Sequence, residues 1–163
     1  MNPYQLATNP WLTSLGYAGL LPFIGGALFL WWPQLQALVP EGADQYVTWG
    51  LFSYSALIFS FLSGLLWFGS FVVGQHSQRQ ASQMLWVSIS AMLWSWSGFA
   101  WLWVSPSLTL LGAGLSYLLL WVYEREVLAH WYPAGFFQLR TRLTWVAALS
   151  LWSAGLALEW GAL

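Results

Sequence analysis

The chain has 163 residues, of which 59% are apolar and only 6% are charged. A soluble domain carries about 25% charged residues, so this composition excludes a water-facing surface of normal size and predicts an integral membrane protein. The net charge of -1 and the lack of a basic run argue against nucleic acid as a partner. Because cysteine and lysine are both absent, disulfides, thiolate metal sites and Schiff-base lysines are excluded.

Five apolar runs are long enough to cross a bilayer, which takes about 20 helical residues. They lie near 12–32, 46–74, 82–104, 107–124 and 143–160. The runs lack the alternating polar positions of a membrane β-barrel. We therefore predict an all-α fold, an integral membrane bundle of five transmembrane helices that forms one domain over residues 1–163. Pro22 is expected to kink the first helix, and Pro106 fits the first turn of the fourth.

The distribution of charge predicts the orientation of the bundle. Two loops on the side of the N-terminus carry all the basic side chains, Arg79, Arg125, Arg140 and Arg142. The opposite side carries only acidic ones, Glu41, Asp44 and Glu159. Because basic loops stay on the cytoplasmic side, we expect a cytoplasmic N-terminus and an external C-terminus.

Tryptophan is in large excess, with 15 residues. Most of them lie close to a predicted helix end, where an indole is typical of the headgroup region. Trp94, Trp96 and Trp152 instead lie near the middle of their predicted helices. Since an indole N–H in hydrocarbon needs an acceptor, these side chains are expected to face either other helices or a ligand cavity.

Small residues recur at helical spacing on the second and third predicted helices. The residues are Ala56, Ser60 and Gly64 on the second, and Ser88, Ala91, Ser95 and Gly98 on the third. Such residues let helix backbones approach closely. The pattern predicts that both helices lie inside the bundle and that Gly64→Leu disrupts folding.

Few side chains are candidates for chemistry. His76 and His130 could ligate a haem or a metal, although both lie at helix ends, where solvation at the interface is the simpler interpretation. In the cluster Glu124, Arg125 and Glu126, Glu124 either pairs with an arginine at the membrane boundary or anchors a helix end at headgroup level. The sequence contains no nucleophile elbow, zinc-protease motif or phosphate-binding loop. We therefore predict no catalytic residues and no metal site.

Three segments carry a family resemblance. They read LGYAGLLPF at 15–23, YSALIFSFLSGLLW at 54–67 and PAGFFQLRTRLT at 133–144. Their order and spacing resemble the domain-of-unknown-function 3429 family, which includes proteins like transmembrane protein 69. The resemblance covers most of the chain and implies a five-span protein of the bacterial inner membrane, but it implies no activity.

The motif residues of the first two helices suggest a site beside the predicted kink. They are Gly16, Gly19, Pro22, Tyr54, Ser60 and Gly64. The glycines leave room for a close neighbour, and the hydroxyls of the second helix would face the kink. A ligand held there would contact Pro22, Tyr54, Ser60 and Gly64, whereas plain packing of the two helices explains the same residues without a ligand.

Two functions fit the sequence. The first is a non-enzymatic accessory, assembly or small structural component of the membrane, with a membrane protein partner or a second copy of the chain. The alternative is a tryptophan-rich binder of an apolar or aromatic ligand, such as a tetrapyrrole, quinone, sterol-like molecule or lipid. Its layout is similar to that of the tryptophan-rich sensory proteins. Neither function requires a covalently bound cofactor.

Overall fold

The computed structural model describes residues 10–132 and 134–160, and all regular structure within them is helical. The helices are α1 (Pro10–Ala18), α2 (Leu21–Trp31), α3 (Pro33–Gln36), α4 (Ala43–Gly74), α5 (Gln78–Val104), α6 (Pro106–Leu128) and α7 (Ala134–Trp160). Four stretches are long and apolar enough to cross a membrane, Trp11–Trp31, Ala43–Gly74, Gln78–Val104 and Pro106–Leu128. The chain is therefore an all-helical, multi-pass membrane protein.

The first apolar run is interrupted close to its proline. Helix α1 ends at Ala18 and α2 begins at Leu21, so Gly19 and Leu20 lie between the two helices. Pro22 occupies the first turn of α2, where its missing N–H costs no helical hydrogen bond. The sequence predicts a kink at Pro22 through a lost hydrogen bond, whereas the structure interrupts the helix just before Pro22, at Gly19 and Leu20.

Serine caps and a proline set the ends of the longer helices. At the start of α5, Ser77 Oγ accepts a hydrogen bond from the backbone N–H of Gln80 (3.4 Å). At the start of α6, Ser105 Oγ accepts one from the N–H of Leu108 (3.4 Å). Pro106 lies in the first turn of α6, as predicted. A single residue, Ser105, separates α5 from α6, so the chain reverses direction in a short turn between these two helices.

Two antiparallel helix pairs form the body of the structure. Helix α4 packs along α5, and α6 packs along α7. Helix α2 contacts both α7 and α4 and so joins the pairs. Although α5 and α6 follow each other directly, they contact one another far less than the members of either pair do. The pairs therefore separate along α5 and α6 and leave a crevice there.

Helix α7 supplies the most deeply buried face. Leu151 and Ala154 are fully buried, and small residues on this face allow close neighbours. The helix begins at Ala134, well before the apolar run at 143–160, so Arg140 lies inside a helix rather than in or beside a loop. The reason is that α7 extends beyond its apolar part as a polar, arginine-bearing helix end.

Candidate functional site

The kink between α1 and α2 is held by a side chain of α4. The hydroxyl of Tyr54 donates a hydrogen bond to the backbone oxygen of Gly19 (2.9 Å). The ring of Phe23 meets the ring of Tyr54 edge-on, with the centroids 5.3 Å apart. Because the helix is interrupted at Gly19 and Leu20, a donor from outside helps to satisfy a backbone carbonyl at the break. Tyr54 thus contacts Gly19 and Phe23 at the break, whereas the predicted residue Pro22 is exposed, and neither Tyr54 nor Pro22 lines a cavity described below.

The small residues of α5 make close contacts with α4. Ser88 Oγ donates a hydrogen bond to the backbone oxygen of Ser63 (2.7 Å), and Ser95 Oγ donates one to the oxygen of Ala56 (3.4 Å). Among the other predicted packing residues, Gly98 lies against the Phe52 ring, Gly16 lies against Leu143 of α7, and Ala91 is half-buried. Serine side chains of α5 therefore contact the backbone of α4 directly.

Gly64 departs from the predicted packing stripe. A Cβ at this position would meet no atom within 4 Å, and the residue is exposed. Ser60, one turn earlier, is half-buried. The expectation that Gly64→Leu disrupts folding is corrected by this geometry, because the stripe turns away from α5 before it reaches Gly64. The third predicted helix, α5, is also largely exposed rather than enclosed by the bundle.

The crevice between α5 and α6, closed at the back by α4, contains two cavities. The turn cavity lies toward Ser105, has a volume of about 280 Å³ and is lined by residues that include Phe52, Ser55, Trp101, Leu108, Gly112 and Tyr117. The distal cavity lies further from that turn, has a volume of about 430 Å³ and is lined by residues that include Trp86, Val87, Ser90, Leu119, Leu120 and Tyr123. These volumes lie near or within the lower part of the range for small-molecule sites, about 300–1,000 Å³.

Three residues, one from each neighbouring helix, line both cavities. They are Phe59 of α4, Trp94 of α5 and Ser116 of α6. The indole Nε1 of Trp94 donates a hydrogen bond to Ser116 Oγ (2.9 Å), and Ser116 Oγ donates one to the backbone oxygen of Gly112 (2.7 Å). Trp94 is 59% exposed, so its ring lies at the mouth of the crevice and spans from α5 to α6.

Most hydroxyls of the turn cavity already donate hydrogen bonds within the protein. The hydroxyl of Tyr117 donates to the backbone oxygen of Ser55 (2.8 Å). Other lining hydroxyls that donate to backbone oxygens are those of Ser95, Ser97, Thr109 and Ser116. No charged side chain of the described residues lines either cavity. The crevice therefore suits an apolar ligand and offers no ion pair to a charged one.

The other central tryptophans lie away from the crevice. Trp96 is 73% exposed and lines neither cavity. Trp152 of α7 donates its indole N–H to the backbone oxygen of Leu111 in α6 (2.9 Å), which ties these two helices together. Of the three tryptophans singled out in the sequence, only Trp94 lines the cavities.

A buried ion pair joins α6 to α7. Glu124 Oε2 lies 3.1 Å from Arg140 Nη2, and the two residues are only 3% and 6% exposed. Arg140 Nη1 also donates a hydrogen bond to Thr144 Oγ1. The contact between Arg140 Nη2 and Glu124 Oε2 is an ion pair without the geometry of a hydrogen bond. Arg140 Nε is also buried and has no hydrogen-bond partner among the described residues. Glu124 therefore pairs with an arginine, and the alternative of a solvated helix end is wrong for this residue.

Tyr132, in the connection between α6 and α7, lies beside this ion pair. Burial raises the pKa of its hydroxyl, and the neighbouring carboxylate of Glu124 raises it further. The arginine partner of the pair, Arg140, opposes this rise. The phenol therefore stays protonated and completes a polar cluster at the arginine-bearing end of the bundle.

The two histidines lie outside both the crevice and the ion pair. His76 and His130 are exposed, and the ring of His76 lies 5.1 Å from that of Trp131. The described residues hold no group of three potential metal ligands.

The contribution of α6 to the crevice was not predicted from the sequence. Thr109, Gly112 and Ser116 follow one another at intervals of three and four residues, the spacing of one helix face. All three line the turn cavity, together with Tyr117. This stripe of small residues was available in the sequence, but it resembles the packing stripes of α4 and α5 and does not by itself distinguish a cavity from a contact.

Comparison with known proteins places the chain in a family. The family model described as a protein of unknown function (DUF3429) matches residues 8–156. No curated protein and no solved structure matches the chain. The match includes all three segments on which the resemblance depends and extends over most of the sequence. The chain therefore belongs to the DUF3429 family.

Proposed function

We propose that this membrane protein holds the hydrocarbon chain of a membrane lipid in the crevice between α5 and α6 and catalyses no reaction on it. The observation that carries the proposal is the pair of apolar cavities that follow one another along this crevice. The exposure of Trp94 at its mouth supports entry from the surrounding lipid. The lining hydroxyls, which already donate to backbone oxygens, support an uncharged, apolar ligand portion.

The length of the crevice favours a chain over a flat ring system. Trp86 lines the distal cavity and Trp101 lines the turn cavity. At a rise of about 1.5 Å per residue, these residues lie about 22 Å apart along α5. The hydrocarbon core of a bilayer is about 30 Å thick, and the chains of each leaflet span about half of it, so the crevice is long enough for one whole chain. A tetrapyrrole or a sterol would occupy only one cavity, whereas an acyl or isoprenoid chain fits both.

Filling the turn cavity is expected to weaken the binding of a chain that extends through both cavities. A Cβ at Gly112 would meet no atom within 4 Å, so Gly112→Leu adds a side chain in open space beside the lining without a clash. We expect the variant to bind a diazirine-bearing hexadecanol at least about tenfold more weakly, a loss of about 1.4 kcal/mol. The measurement is the fraction of protein that carries the label after irradiation in phosphatidylcholine nanodiscs, read by intact mass.

Gly50→Leu is the matched control for this experiment. Gly50 is also free of atoms within 4 Å of a Cβ, but it lies on the exposed face of α4 and lines neither cavity. This variant is expected to label like the unaltered protein. Equal labelling of the Gly112→Leu and Gly50→Leu variants would contradict the proposal.

An accessory role in a larger membrane complex is the second candidate function. The outward face of α5 favours it, because this face exposes two large aromatic side chains, Trp96 and Trp103. A membrane protein partner or a second copy of the chain would cover these side chains, whereas a chain-binding protein leaves them in lipid. A stoichiometric protein partner after mild extraction, together with no labelling by the hexadecanol probe, would favour this role over the first.

The proposal includes five spans in the bacterial inner membrane, with α7 as the fifth, a cytoplasmic N-terminus and an external C-terminus. The positions of the arginines support it, because Arg79 lies in the first turn of α5, Arg125 lies in the last turn of α6 and Arg140 lies near the start of α7. Consecutive spanning helices would bring these three ends to the same side of the bundle, and basic side chains stay on the cytoplasmic side.

Single cysteines in this cysteine-free chain test the topology. With an impermeant maleimide on intact spheroplasts, Glu41→Cys and Glu159→Cys are expected to react. Gln75→Cys is expected to react only after the membrane is permeabilised. These three positions are exposed in the structure. Labelling of Glu41 and protection of Glu159 would mean that α7 does not complete a fifth span.

A further inference from the structure

We infer that Phe59, Trp94 and Ser116 form a constriction that determines the length of the chain the crevice accepts. The inference rests on the proposed function and concerns the same site. These three residues are the ones that the turn cavity and the distal cavity have in common. Each comes from a different helix, so together they surround the passage from one cavity to the other.

The back of the constriction is rigid. Phe59 is almost fully buried, and its ring packs against that of Tyr117 with the centroids 5.4 Å apart. The Tyr117 hydroxyl is in turn bonded to the backbone oxygen of Ser55 (2.8 Å). A close-packed aromatic side chain with these contacts does not move without disturbing the core.

The front of the constriction is the part that can open. Trp94 is largely exposed, and one hydrogen bond, from Nε1 to Ser116 Oγ, holds its indole across the crevice. A single hydrogen bond typically makes only a modest net contribution to stability. A chain short enough for one cavity leaves this bond intact, whereas a longer chain must displace the indole. Trp94 therefore acts as a length-determining residue.

The test compares chain lengths in variants of the constriction. Diazirine-bearing alcohols from octanol to eicosanol are added to the protein in phosphatidylcholine nanodiscs, and the labelled fraction is measured for each length. In the unaltered protein, labelling is expected to fall steeply above a limiting length. Trp94→Ala is expected to move that limit to longer chains, with at least about a tenfold gain for eicosanol. Ser116→Ala, which removes the acceptor and keeps the ring, is expected to move it less.

Trp96→Ala is the control, because Trp96 lies on the same helix but faces away from both cavities. Its length profile is expected to match that of the unaltered protein. An unchanged limit in both Trp94→Ala and Ser116→Ala would overturn the inference while leaving the proposed function in place. Absence of labelling at every length in the unaltered protein would instead overturn the proposed function. If Trp94→Ala fails to fold, the shift in Ser116→Ala decides the question.

Discussion

Replacing Arg140 with methionine is expected to destabilise the protein by about 3–5 kcal/mol, the range found when one partner of a buried ion pair is removed. The variant would leave the Glu124 carboxylate, which is 3% exposed, without its cationic partner at 3.1 Å. It would also remove the hydrogen bond from Arg140 to Thr144. The measurement is the midpoint of thermal unfolding in detergent, where unfolding is monitored as the loss of monodisperse protein.

Two further variants show whether the loss of stability comes from the buried ion pair. Arg125→Met changes an exposed arginine whose guanidinium lies over the Trp121 ring at 5.8 Å, and it is expected to cost no more than about 1 kcal/mol. The double variant Glu124→Leu with Arg140→Met removes both charges, and it is expected to recover most of the lost stability. Equal losses in Arg140→Met and Arg125→Met would contradict the assignment of a buried pair.

Adding one methyl group at Gly114 is expected to destabilise the bundle by about 1–3 kcal/mol, the usual cost of overpacking. A Cβ there would lie 2.6 Å from Trp152 Cδ1 and 3.0 Å from the backbone oxygen of Ala148. The Trp152 ring cannot move aside freely, because its Nε1 donates to the oxygen of Leu111. Gly114→Ala therefore has to push α6 away from α7.

The same substitution at Gly64 is expected to change the stability in the opposite direction. No atom lies within 4 Å of a Cβ at this position, and alanine favours the helix over glycine by up to about 1 kcal/mol. The thermal midpoint of Gly64→Ala should thus stay constant or rise, whereas that of Gly114→Ala should fall. If both midpoints fall by the same amount, the close approach of α6 and α7 is not the cause of the destabilisation in Gly114→Ala.

The sequence predicts the helical membrane fold well, because long apolar runs with few charges permit little else in a bilayer. A disruption of the first helix near Pro22 and the start of α6 at Pro106 were also predictable, since proline has a fixed φ and no N–H. The start of α7 was not. An apolar run marks only the apolar part of a helix, and Ala134 begins a helix that extends beyond its apolar run.

The candidate site was only partly predictable. In a membrane helix both the lipid-facing and the protein-facing sides are apolar, so hydrophobic periodicity does not say which side a residue faces. For this reason Trp94 and Trp96 look equivalent in the sequence, although one lines the crevice and the other faces outward. Gly64 and Gly114 differ in the same way. The partner of Glu124 was open among several arginines, because pairing between helices depends on their packing.

Whether the crevice holds a hydrocarbon chain is tested most simply by the position at which a chain-like probe attaches. The unaltered protein in its own membranes would be irradiated with a diazirine-bearing hexadecanol, with and without excess unlabelled hexadecanol, and the modified residues read by tandem mass spectrometry. Competable labels are expected on the residues that line the crevice, above all around Trp94 and between Gly112 and Tyr117. Labels spread evenly over exposed residues such as Leu57, Trp96 and Leu149, and insensitive to competition, would show that the crevice holds no chain.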